Sequence, residues 1–296
     1  MASAQMKAAA QAIRENSMFT GSEIDLAVMR AGMEQTALPV GEGISRKDFS
    51  ADGLNLTHIA ASDVRNDRGV LYLHGGGYVL GSLNTHAELM GRISAECRAP
   101  VLGVEYRLAP EHPYPAALDD ALAAYQRLLS NGIKPEQIVI AGDSAGGGLS
   151  LACLLALKEA GLPLPAGAML LSPWTDLTGS GASIKSRADA DPMVSARLLD
   201  PMVALYKGDQ PADLPRLSPL FGDLSGLPPL LIQVGDAEIL LDDSTRLSER
   251  AKAAGVDATL QIYDGAFHVF QNMPDLPESA EALKAMAGFF DRVTGP

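Results

Sequence analysis

Ser144 stands in Gly142-Asp143-Ser144-Ala145-Gly146-Gly147, where a nucleophilic hydroxyl is flanked by residues with almost no side chain. A serine hydroxyl attacks a carbonyl carbon when a base takes its proton and a carboxylate orients that base. On the strand-turn-helix unit that carries a Gly-x-Ser-x-Gly turn, these partners follow in the order acid, then histidine. The chain has five histidines, His58, His74, His86, His112 and His268, and only His268 lies after the serine, in Tyr263-Asp264-Gly265-Ala266-Phe267-His268. Between them, Val234-Gly235-Asp236-Ala237-Glu238-Ile239-Leu240-Leu241-Asp242-Asp243 offers four carboxylates. Asp236, Glu238, Asp242 or Asp243 could each orient the imidazole, and the others would serve as charges at the start of a helix near Leu240. A second cluster, His74-Gly75-Gly76-Gly77, ends the apolar run Val70-Leu71-Tyr72-Leu73. Adjacent glycines let bare N–H groups approach a partner closely, and an ester carbonyl becoming an oxyanion is such a partner, each aimed donor contributing about 3 kcal/mol. A phosphate cradle would need a following Lys-Ser/Thr pair or a G-x-G-x-x-G spacing, and neither is present. His74 is expected to brace this loop by a hydrogen bond.

The surrounding pattern supplies elements to hold these residues. Strands are expected at Arg46 to Ser50, Leu54 to Ala60, Val70 to His74, Val101 to Tyr106, Ile138 to Gly142, Ala168 to Ser172, Leu230 to Gly235 and Thr259 to Tyr263. Helices are expected at Thr85 to Arg98, Pro115 to Asn131, Ala145 to Ala160, Leu240 to Ala254 and Glu278 to Val293. After an early antiparallel pair this alternation gives right-handed crossovers onto both faces of a mostly parallel sheet, an α/β fold. The nucleophile then sits between an apolar strand and the buried helix that begins at Ala145.

Three motifs carry a resemblance: His-Gly-Gly-Gly at 74 to 77, Tyr-Arg-Leu-Ala-Pro-Glu at 106 to 111, and Gly-Asp-Ser-Ala-Gly-Gly at 142 to 147. The chain resembles, over nearly its whole length, the bacterial hormone-sensitive-lipase-like (family IV) carboxylesterases of the α/β-hydrolase fold. The resemblance implies Ser144 as nucleophile, His268 as base, and the backbone N–H groups of Gly76, Gly77 and Ala145 as the oxyanion hole, with Gly75 the weaker candidate. It places Glu238 and Asp242 where the family usually carries two aspartates four positions apart, and so implies Glu238 as the acid. It also implies an eight-stranded sheet under a helical cap made of residues 1–40 and the insertion 176–216, with 41–175 and 217–296 as the catalytic core. The expected activity is hydrolysis of short- to medium-chain esters through an acyl-enzyme, with no cofactor and no metal. An amidase or acyltransferase with the same triad, and a non-catalytic ligand-binding relative, are the alternatives. The resemblance further implies a homodimer formed through the edge strand near Thr259 to Tyr263.

The two cap stretches show their own signals. Residues 1–40 have helical spacing in Ala9, Ala10 and Ile13 and in Ile24, Val28 and Ala31. Met193, Leu198, Leu199, Met202, Val203, Leu205 and Tyr206 crowd the other, and methionine suits an adaptable acyl pocket. Pro201 is expected to interrupt a helix there, with Asp200 capping a new one. Tyr106, Arg107 and Glu111 are expected to tie down the loop after a strand, Asp143 to bond loop backbone, and Trp174 to wall the pocket. His86 and His112 are read as loop or helix-start residues.

With 296 residues and 47% hydrophobic content, the chain can fill a large core, and its net charge of −13 argues against nucleic acid and anionic membranes as partners. No apolar run approaches the roughly 18 residues of a membrane span. The stretch Met1-Ala2-Ser3-Ala4-Gln5-Met6-Lys7 lacks the apolar centre of a signal peptide, so a cytoplasmic location is expected. Cys97 and Cys153 are expected to pack as small apolar residues rather than pair.

Overall fold

The structure, a computed structural model, describes residues 1–16 and 25–295. Ile24 of the N-terminal helical spacing, and the stretch 17–24 of the 1–40 range, lie outside the described residues.

Two helices, α1 (Ala4–Glu15) and α2 (Leu26–Glu34), precede the antiparallel pair β1 (Ile44–Ala51) and β2 (Leu54–Ala61). There follow β3 (Gly69–Leu73), α3 (Ala87–Cys97), β4 (Val101–Val104), α4 (Ala116–Ser130), β5 (Ile138–Asp143), α5 (Ala145–Glu159) and β6 (Gly167–Leu171). The short α6 (Ser183–Ser186) and α7 (Ala196–Lys207) intervene before β7 (Leu230–Gly235), α8 (Leu241–Ala253), β8 (Ala258–Tyr263) and α9 (Pro277–Thr294). Among the described residues, eight strands form one sheet in the order β1-β2-β4-β3-β5-β6-β7-β8, with β2 antiparallel to both its neighbours and the other pairings parallel.

The inner strands β3 to β7 are buried throughout and largely apolar on both sides because helices cover both faces. Alternation sorts their side chains: Leu71, Leu73, Ile138, Ile140, Leu170 and Ile232 join the cluster that includes α4, α5 and α8. Val70, Tyr72, Val139, Ala141, Met169 and Leu231 join the one that includes α3 and α9. Helix α5 is buried along most of its length, which its Leu- and Ala-rich sequence requires. Parallel register then aligns the carboxyl ends: Leu73 lies opposite Gly142, Asp143 opposite Leu171, and Gly235 opposite Tyr263. The loops leaving β3, β5, β6, β7 and β8 therefore open on one edge of the sheet, where ligands of open α/β folds bind.

Two expectations need correction. Strand β4 ends at Val104, two residues earlier than expected, because Tyr106 turns away to donate its hydroxyl to the His74 carbonyl (2.7 Å). Helix α7 runs unbroken through Pro201, and Asp200 is an interior residue rather than a cap. The bond that proline removes would have reached the carbonyl of Arg197, an exposed residue of the first turn, while Leu199, Met202 and Tyr206 anchor the helix by burial. Both cysteines are buried and unpaired, with burial pushing each thiol up to about 12. Among the described residues, no helix is long and apolar enough to cross a membrane.

Candidate active site

The turn after β5 is set by close backbone approach. Ser144 has φ 50° and ψ −119°, a region that non-glycine residues enter at a cost. A Cβ on Gly142 would strike the Gly146 carbonyl, and one on Gly146 would strike the carbonyls of Leu73 and His74. Only glycine fits either position, so the small residues around Ser144 are a steric requirement. Helix α5 starts at Ala145, and its N-terminus turns unpaired N–H groups and the positive end of its dipole toward the serine.

The loop after β3 lies alongside. Gly76 and Gly77 have φ of 119° and 62°, and a Cβ on Gly77 would meet the Met202 sulfur. Gly75 is committed elsewhere: its N–H donates to Asp143 Oδ1 (3.0 Å), which also accepts from the Tyr72 hydroxyl (2.7 Å). Asp143 thus bonds loop backbone as expected. The N–H groups of Gly76 and Gly77 have no partner among the described residues. His74 is buried, stacked on Tyr106 with ring centres 4.2 Å apart, and its Nδ1 lies 2.8 Å from the Gly75 carbonyl. A carbonyl only accepts, so Nδ1 carries the proton, and burial pushes the imidazole down to about 3. It therefore braces the loop as a neutral group.

The loops after β6, β7 and β8 form the opposite bank. Glu238 is fully buried. Its Oε2 lies 2.6 Å from His268 Nδ1, while Oε1 accepts from the Ser172 hydroxyl (2.7 Å) and the Gly235 N–H (2.8 Å). The carboxylate fixes the proton on Nδ1 and leaves Nε2 as the basic nitrogen. Burial alone would lower the affinity of His268 for a proton. The Glu238 charge and hydrogen bond outweigh it, with Asp191 and Asp143 adding to them, so the imidazole sits above its ordinary value. The other carboxylates have different partners: Asp236 accepts from the Gly265 N–H (2.6 Å), Asp242 from the Ser183 N–H (3.0 Å), and Asp243 from those of Thr175 (2.7 Å) and Asp176 (2.8 Å).

Ser144 and His268 line one cavity of about 120 Å³ with Gly76 and Gly77. Its apolar wall is Met33 of α2 and Met193, Leu198, Leu199 and Met202 around α7. Trp174 is not among the lining residues; it is buried near Tyr78, ring centres 6.2 Å apart. Val203, Leu205 and Tyr206 pack into the core instead. Arg30 of α2 holds Glu111 through two bonds of 2.8 Å and reaches the carbonyls of Val79 and Ala109, while Arg107 pairs with Asp120, so both ends of the 106–111 motif are structural.

Three residues in contact with or close to these groups are not assigned a place there by the sequence reading. Ser172, with φ 45°, links Glu238 to the Val269 N–H (3.1 Å) and so ties the acid turn to the base loop. Its signal was its place at the end of the strand beside the one bearing the acid. His86, read as a helix-start residue, begins α3 but is also buried in the cavity lining, with Nε2 3.4 Å from Asp143 Oδ2. Burial lowers its proton affinity, but the charge of Asp143 beside it outweighs that and raises it. Asp191, in the segment before α7, is buried, and its charge adds to the proton affinity of His268.

Comparison with known proteins shows the family and the fold. The family profile of the alpha/beta hydrolase fold matches residues 70–272. The chain is 42% identical over 249 residues to an acetyl-hydrolase of Streptomyces hygroscopicus, covering 82% of this chain and 83% of that protein. It is 45% identical over 223 residues to an esterase of Acinetobacter venetianus, covering 74% and 73% respectively. A solved esterase of the bacterial hormone-sensitive lipase family superposes with a TM-score of 0.95 at 41% identity, covering 100% of each chain.

Proposed function

The chain belongs to the alpha/beta hydrolase family, among the hormone-sensitive-lipase-like carboxylic ester hydrolases, and from that premise we propose that Ser144, His268 and Glu238 are its catalytic triad. The observation that carries this reading is the buried 2.6 Å contact between Glu238 and His268 Nδ1, in a cavity that also contains Ser144 on a strained turn. His268 Nε2 takes the Ser144 hydroxyl proton as the oxygen attacks the ester carbonyl. The carbonyl electrons move onto oxygen, and the N–H groups of Gly76, Gly77 and Ala145 stabilise the resulting oxyanion. Two features support that assignment: the first two N–H groups are unpartnered among the described residues, and the third begins a helix. Collapse breaks the bond to the alkoxy group, which leaves as alcohol with the proton from Nε2. Water, deprotonated by the same nitrogen, attacks the acyl-serine, and the acid departs as Ser144 recovers its proton.

The described residues of 1–40 and residues 176–216 form the cap in this reading, because Met33 and side chains of α7 line the cavity together with Gly76 and Gly77. A cavity of about 120 Å³ favours short acyl chains. The test is hydrolysis of p-nitrophenyl esters from acetyl to palmitoyl by wild type and Ser144→Ala. Turnover should peak at short chains and fall by about 10⁴-fold or more in the variant. Survival of activity in Ser144→Ala would remove the acyl-enzyme, and a maximum at palmitoyl would remove the closed cap.

A further inference from the structure

Asp191 lies in the segment between α6 and α7, outside the sheet that carries the site, yet its carboxylate is buried and both oxygens are used. Oδ1 accepts from the N–H groups of Met193 and Val194, each at 2.9 Å, and Oδ2 accepts from the Ile239 N–H, also at 2.9 Å. Met193 and Val194 line the cavity, and Ile239 is the residue after Glu238. One side chain therefore joins the wall that meets substrate to the turn that presents the acid. We propose that Asp191 is a positioning residue for the hydrolytic reaction, holding the Glu238 turn in register with His268. The inference rests on the triad reading above and extends it to the cap segment.

A local turn alone would not require this arrangement. An aspartate or asparagine that bonds the N–H groups two and three residues ahead needs one oxygen, and Oδ1 supplies it. The second oxygen reaches across 48 positions of sequence to Ile239, the residue after the carboxylate that orients His268. The charges of Glu238, Asp191 and Asp143 each favour the protonated imidazole that forms as Ser144 is deprotonated, with Glu238 in contact with the ring. Burial raises Asp191's own carboxyl above its ordinary value. Asparagine at 191 would keep the turn through its carbonyl oxygen. It would point an amide N–H at the Ile239 N–H, and it would carry no charge.

The experiment compares wild type, Asp191→Asn and Ser144→Ala on a short p-nitrophenyl ester, recording kcat, KM, the pH profile of kcat/KM and the thermal midpoint. Asp191→Asn is expected to lower kcat by about tenfold to a hundredfold, with KM changed by less than about twofold. It should also move the acidic limb of kcat/KM to lower pH, because a Glu238 carboxylate held less closely against Nδ1 raises the imidazole less, a change that a residue not acting on Glu238 would not produce. An unmoved acidic limb overturns the inference even if kcat falls, and so does an unchanged kcat. Asp191→Ser, which keeps one acceptor in a smaller side chain, provides the same comparison should the amide disturb folding. If Ser144→Ala retains activity, the triad reading fails instead, so the two failures are told apart.

Discussion

The two banks of the site are held by different physics. On the nucleophile side, Gly142, Gly146, Gly147 and Gly148 leave no room for a Cβ against the backbone of Leu73, His74, Pro173 or Trp174, so position is fixed by steric exclusion. On the acid-base side, each Glu238 oxygen has an assigned donor, and the turn is laced to the base loop through Ser172, Ala237 and Gly265. Position there is fixed by charge and hydrogen bonding. One bank should therefore fail when an atom is added, and the other when a charge is removed with every atom nearly in place.

Glu238→Gln is the sharpest test of the second bank, because glutamine keeps the shape. Its carbonyl can serve Ser172 and Gly235, which turns the amide NH₂ toward His268 Nδ1. The imidazole must then move its proton to Nε2, the nitrogen needed as base, and kcat should fall by about 10²–10⁴-fold. The pH profile gives a second reading. In the proposed mechanism His268 acts as a base only when neutral, and the Glu238 charge raises it above its ordinary value despite burial. Wild-type kcat/KM is therefore lost as pH falls through that raised value, and the residual activity of Glu238→Gln should have its acidic limb at lower pH. A variant with wild-type kcat would return the acid role to Asp236, Asp242 or Asp243.

Gly146→Ala is the matching test of the first bank. The added methyl meets the Leu73 and His74 carbonyls, which lead into the glycine loop, so stability should fall by roughly 3 kcal/mol and kcat/KM by about a hundredfold. Gly288 in α9 supplies the control. A Cβ there meets nothing within 4 Å, and Gly288→Ala should stabilise by about 0.5–1 kcal/mol without touching activity. Denaturant titration and ester turnover measure both. Equal behaviour of the two substitutions would mean that steric exclusion is not what sets the elbow.

The same contrast accounts for what could be read from the chain. Steric exclusion writes itself locally: glycines at 142 and 146 around a serine, directly after an apolar strand, fit little besides a tight nucleophile turn. The sheet was legible for a related reason, since runs such as Ile138-Val139-Ile140-Ala141 are apolar on both faces and must be buried strands. Charge placement is not local. Four carboxylates within eight residues are equivalent by residue type and spacing, only the family resemblance favours Glu238, and the fold puts Glu238 against His268, 30 positions away. Ser172 and Asp191 gave no motif because their partners lie 66 and 48 positions along the chain. Pro201 misled because a propensity rule was applied where burial of Leu199, Met202 and Tyr206 decides the outcome. Trp174 misled for the opposite reason, since proximity in sequence to a strand end does not say which way a side chain turns.

Asp243 separates charge that serves chemistry from charge that serves the fold, and its effect should be the smallest. It is buried five residues after Glu238, and Oδ2 alone accepts from both Thr175 and Asp176, so the carbonyl of an asparagine can take over both bonds. Burial pushes its carboxyl up to about 7, against the pull of those N–H groups and of Arg246. The folded state thus binds the proton more tightly than an unfolded aspartate near 3.9, and this group's contribution to stability declines as pH rises from about 4 to about 7. Asp243→Asn removes that dependence. At pH 5, where the native carboxyl is protonated, the variant should match wild type to within about 1 kcal/mol, and at pH 8 it should gain relative to wild type. Denaturant midpoints at the two pH values measure the difference, and ester turnover should not change. A gain at pH 5 that vanishes at pH 8 would reverse the sign and mean that Asp243 is ionised and paired in the folded protein. A loss of turnover comparable to that of Glu238→Gln would put its carboxylate into the site.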